Sequence, residues 1–113
     1  MGFLFGKKYS IKDIPIATQS YIKAELEKIE KAHEDNMCSG YLYAKMIAGK
    51  KALASEKLSK TDVQVLLEIV LFRRETMIEA AEQQGKTQEY LEEFDYEFRH
   101  NTKARKVLKG MLD

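Results

Sequence analysis

Both histidines of this chain stand three residues after a glutamate, in Glu30-Lys31-Ala32-His33 and Glu97-Phe98-Arg99-His100. On a helix that spacing turns the two side chains to one side, as in bundles that hold paired iron or manganese ions. Such a site also takes one glutamate from each of two further helices. Glu68 or Glu75 would have to come from the polar wedge of one, and Glu56 from near the end of the other. The ligand set is incomplete, and with thirteen glutamates in the chain an E-x-x-H by chance is ordinary. His33 is expected instead as a core-facing ring bonded to a tyrosine or glutamate. A metal-binding bundle is the last of three readings, and no cofactor is expected.

Other chemistry has less to stand on. Cys38 is the one cysteine, and no basic residue lies within four positions to activate its thiol. It reads as a small filler in a reducing compartment. There is no Ser–His–Asp arrangement, glycine-rich phosphate loop, C-x-x-C or H-E-x-x-H, so no catalytic residues are assigned and the chain is not expected to be an enzyme. Arg99, Lys103, Arg105, Lys106 and Lys109 make a basic segment that would suit phosphates. No helix-turn-helix signature precedes it, and cations are favoured at a helix C-terminus in any case. Nucleic-acid binding through this segment is the second reading.

The elements that would position these residues are helices. One proline, six glycines and no tryptophan leave little material for a sandwich or barrel. Ser10 or Asp13 can cap a helix over 14–35, with Pro15 in its first turn and Thr18, Ile22, Leu26, Ile29 and His33 as its stripe. A second helix spans 40–58, where Gly40, Ala44, Ala48 and Ala52 recur every fourth residue and leave a smooth strip for close approach. Asn36 or Ser39 marks the corner between them, although the apolar stripe runs on through it, and the alternative is one fused rod. Ser59 with Asp62 is a start signal, and Gly85 a stop, for a third helix over 61–84. Thr87 caps a fourth, with Tyr90, Leu91, Phe94, Phe98, Leu108 and Leu112 in phase to the end.

The third helix is apolar on nearly two faces. Val63, Leu66, Val70, Met77 and Ala81 belong to a wide arc, and Val65, Ile69 and Phe72 form a second facet behind it. Arg74 sits in the middle of the main arc. Pairing positions across a hairpin at Gly85 places Glu97 opposite, so an Arg74–Glu97 ion pair is expected to fix the register.

These readings give an all-α fold, a single-domain four-helix bundle of two helical hairpins around the central apolar helix. The domain covers 1–113, with residues 1–10 as an arm whose Phe3, Leu4 and Phe5 tuck into a groove, reach a partner or touch a membrane surface. With 113 residues, 33% of them charged, and a net charge of +1, bulk electrostatics select neither nucleic acid nor membrane. No signal peptide and no run of the ~20 apolar residues needed for a span is seen, so a cytoplasmic protein is expected. The function expected is protein–protein interaction, as an adaptor, regulator, inhibitor or assembly factor, with homodimerisation included. The surfaces assigned to partners are Val65, Ile69 and Phe72, the strip Gly40, Ala44 and Ala48, and Phe3 and Phe5 of the arm.

Overall fold

A computed structural model describes residues 8–113. Phe3 and Phe5 lie outside the described residues. In chain order the elements are β1 (Tyr9–Ser10), a 3₁₀ turn (Ile11–Asp13), α1 (Ile16–Glu34), α2 (Gly40–Leu53), β2 (Lys57–Leu58), α3 (Lys60–Gln83), α4 (Gln88–Phe94) and α5 (Tyr96–Leu112). The fold is all-α apart from the two-residue antiparallel ladder of β1 and β2, which pairs Tyr9 with Leu58 and Ser10 with Lys57.

Among the described residues, five helices stand where four are expected. The break is at Asp95, whose backbone is extended and whose Oδ1 accepts a hydrogen bond from the Phe98 amide at 2.9 Å, capping α5. The apolar phase through Tyr90, Phe94 and Phe98 hides this stop. Its structural cost is visible: Leu91 and Phe98 are buried, while Tyr90 and Phe94 turn to solvent.

Helices α1 and α2 are separate. Asn36 adopts a left-handed φ of 57°, and Ser39 Oγ accepts from the Leu42 amide at 3.1 Å to start α2. The fused rod is therefore excluded. The second helix also ends early, at Leu53, because the chain turns out to pair Lys57–Leu58 with β1. Close approach to its neighbours comes through Gly49 rather than the Gly40–Ala44–Ala48 strip. A Cβ at Gly49 would lie 2.7 Å from Ile69 Cδ1 and 3.1 Å from Leu26 Cδ2.

The third helix starts on the reciprocal Ser59–Asp62 capping box and stops before Gly85, which takes a φ of 73°. It packs against each of the other four helices. Val63, Leu66 and Val70 join Ile22, Leu26 and Leu108 in the larger core, and Met77 and Ala81 join Leu91 and Phe98 in a smaller one. Val65 and Ile69 are buried in the larger core as well, which corrects their assignment to a partner surface. The doubly apolar pattern thus belongs to a central helix covered on two sides by its own chain. Among the described residues, no helix is long and apolar enough to cross a membrane.

Candidate functional site

Four charged side chains from three helices meet beside an apolar cleft. Glu25 of α1 is buried, and its carboxyl group faces a basic pair. Arg73 Nε of α3 lies 3.2 Å from its Oε2, and Lys28 Nζ lies 3.1 Å from its Oε1. Glu97 of α5 closes the cluster, with Oε1 2.9 Å from Lys28 Nζ and 3.0 Å from Arg73 Nη2. Two acidic groups and two cations meet here, and pairing of this kind is the condition under which buried charge is tolerated.

The two acids are driven apart in acidity. Burial pushes the Glu25 carboxyl up from 4.5, and its hydrogen bond with Glu97 adds to that, against Lys28 and Arg73. Partial burial would also raise Glu97, but hydrogen bonds from Lys28, Glu25 and Arg73 outweigh it and hold that carboxyl at about 2. Burial of Lys28 opposes its charge, while its bonds to Glu97 and Glu25 raise it overall.

The cleft next to this cluster holds about 210 Å³. Its walls are Ile29 and Ala32 of α1, Met37 and Cys38 of the corner, Leu42 of α2, and Ile69, Phe72 and Thr76 of α3. Glu25, Lys28 and Arg73 line its polar end. Leu42, Ile69 and Phe72 also line a smaller adjoining hollow with Tyr41. Such a volume suits one or two side chains better than a cofactor, since ligand sites start at roughly 300 Å³. Among the described residues, every buried side-chain nitrogen and oxygen has a hydrogen-bond partner, so none is left aimed into the cleft. Of the interface residues expected from sequence, Phe72 stands half-exposed at its rim and Ile69 forms its floor. Gly40 and Ala44 are exposed on α2, and Ala48 packs partly against the core.

The expected Arg74–Glu97 pair is not formed. Arg73 takes Glu97, and Arg74 turns about 100° away along the helix into a second network. Its Nη1 donates to Thr102 Oγ1 at 2.9 Å, its Nη2 reaches Glu92 Oε1 at 3.4 Å, and its guanidinium lies 4.3 Å from the Phe98 ring centroid. Thr102 Oγ1 in turn donates to Glu92 Oε1 at 2.6 Å. Asn101, fully buried, accepts from Arg74 and donates to Tyr21 Oη at 2.8 Å and to the Val70 carbonyl at 2.9 Å. Burial drives the Tyr21 phenol well above its usual value of 10.

The two E-x-x-H motifs are occupied elsewhere. Glu30 pairs with Lys50 at 2.8 Å, His33 is exposed rather than core-facing and stacks on Tyr43 at 3.6 Å, and His100 packs edge-on to Tyr96 at 4.4 Å. Among the described residues, no three His, Cys, Asp or Glu side chains converge as a metal site. In the basic segment, Arg99, Lys103, Lys106 and Lys109 are exposed on α5 and Arg105 is half-buried. Sequence reasoning missed Glu25, Lys28 and Arg73. Glu25 stands three residues after Ile22 and one before Leu26, so its place on the buried stripe was the available signal.

No protein-family model, curated protein or solved structure matches this chain.

Proposed function

We propose that this chain is a protein–protein interaction module acting by binding rather than catalysis, and that the α1–α2–α3 cleft receives apolar side chains of a partner protein. One observation carries the reading: large apolar side chains at the cleft and at the hollow adjoining it stay open to solvent, with Met37 81% and Phe72 47% exposed at the cleft and Tyr41 72% at the hollow. Such clustering marks interaction sites, whereas isolated exposed apolar residues do not. Tyrosine and arginine, the types of Tyr41 and Arg73, are also among the residues most enriched at binding hot spots. The acids beside the cleft are engaged in ion pairs with Lys28 and Arg73, the arrangement of a charge-balanced cluster that holds helices together. A small cytoplasmic adaptor, regulator, inhibitor or assembly factor is the role this supports.

The test is affinity capture from the native host with the full chain and two variants. Phe72→Asp with Met37→Asp alters the cleft rim, and Ile47→Asp alters the outer side of α2. A specific partner should be retained by the wild type and by Ile47→Asp, and lost at least about tenfold with the cleft variant. Retention that is equal for all three chains, or no partner at all, overturns the reading.

A further inference from the structure

We propose that the outer face shared by α3 and α5 is a self-docking surface, on which a second copy of this chain packs about a two-fold axis near Leu71. This face is separate from the cleft, and the proposal stands or falls independently of the cleft's partner.

Leu67, Leu71 and Ile78 are spaced four and seven residues apart, so they fall within one narrow arc of α3. Leu71 is 38% exposed, and Leu67 and Ile78 are half-buried beside it. Helix α5 runs antiparallel along the adjoining edge, because Arg73 meets Glu97 while the Val70 carbonyl meets Asn101. Continuing that register places exposed Lys106 and Lys109 alongside the first turns of α3, where exposed Lys60 also lies. Exposed Glu75 and Glu82 lie towards the other end of α3. On α3 the face is apolar in the middle and acidic towards one end, while the α5 edge beside it is basic, with exposed Arg99 and Lys103 as well as Lys106 and Lys109.

None of Glu75, Glu82, Lys106 and Lys109 makes an ion pair within the chain among the described residues, whereas Lys28, Lys45, Lys50, Arg73 and Arg74 all do. At 1.5 Å per residue, Glu75 lies ~6 Å from Leu71 along α3 and Glu82 ~16 Å. By the same measure and the α3–α5 register, Lys106 and Lys109 lie roughly 8–13 Å on the opposite side. A two-fold axis at Leu71 reverses the direction of α3, so the Glu75 and Glu82 end of each copy meets Lys106 and Lys109 on the basic α5 edge of the other. An isologous contact makes every such pairing twice. Burial of the leucine–isoleucine strip supplies the attraction, and the charges select the antiparallel orientation over any other.

The experiment is sedimentation equilibrium of the full chain at low salt, with helix content of each variant checked by circular dichroism. The wild type should form a dimer, and Leu71→Asp should weaken it about tenfold or more. Two double reversals, Glu75→Lys with Glu82→Lys and Lys106→Glu with Lys109→Glu, should each be monomeric alone. An equimolar mixture of the two should dimerise again, because both contacts become complementary in the mixed pair. A wild type that stays monomeric at about 100 μM, reversals that dimerise like the wild type, or a mixture that stays monomeric overturns the proposal.

Discussion

Arg73 and Arg74 are adjacent in sequence, yet they close two different networks. Arg73 links α1, α3 and α5 through Glu25 and Glu97, and Arg74 links α3, α4 and α5 through Glu92, Asn101 and Thr102. Replacing Arg74 by Met keeps much of the packing on Phe98 but strips the buried Asn101 oxygen of its donor. We expect a loss of about 2 kcal/mol in urea unfolding, the usual penalty for an orphaned buried acceptor. The acid limb of stability belongs to Glu97. Its folded carboxyl titrates at about 2 against an ordinary 4.5, so its contribution is complete above pH 4.5 and drains away as pH falls towards 2. Glu25 acts in the opposite sense: its raised carboxyl favours the fold below 4.5, and that contribution is lost as pH rises through the folded value. Glu97→Gln should therefore flatten the fall in thermal midpoint between pH 4.5 and pH 2 seen for the wild type. An unchanged slope would place the acid sensitivity in other groups.

Between residue and fold stand the helix ends. Asp95→Ala removes the cap that separates α4 from α5 and should cost about 1 kcal/mol in the same unfolding measurement. Gly49 tests the opposite kind of constraint. Valine there would force the Ile69 and Leu26 methyls aside where α2 meets α1 and α3, for a loss of roughly 2–3 kcal/mol. Helix ends that carry a chemical signal were readable in advance: Ser59 with Asp62, Gly85, Thr87 and Ser39 all do what their types suggest. Asp95 was not, because one extended residue barely shifts the apolar phase on which periodicity relies. The ladder of Tyr9–Ser10 with Lys57–Leu58 was equally hidden, since two residues are too short to alternate. The charged cluster failed for a different reason. Hairpin counting came within one residue of Glu97's true partner, and on a helix one residue is a rotation of 100°.

For the whole molecule, the central position of α3 decides how surfaces can be used. Most of its two apolar facets is covered, by α5 on one side and by α1 and α2 on the other. Among the described residues, Leu71 and Phe72 of these positions stay exposed, and each lies on one of the two proposed partner surfaces. The short ladder has a further effect, on how the molecule opens. Tyr9–Ser10 and Lys57–Leu58 bracket the whole of α1 and α2, and the Ile11 amide extends the join by donating to the Glu56 carbonyl at 2.9 Å. The α1–α2 hairpin is thereby closed at its base, and neither helix can leave without breaking the join. Hydrogen exchange should show it: the amides of Ile11 and Leu58 should share one opening free energy with the middle of α1, despite sitting in a ladder of two residues. Faster exchange at the ladder than in α1 would mean the join frays alone. On the first outcome this end of the molecule unzips as one cooperative unit of nearly half the chain.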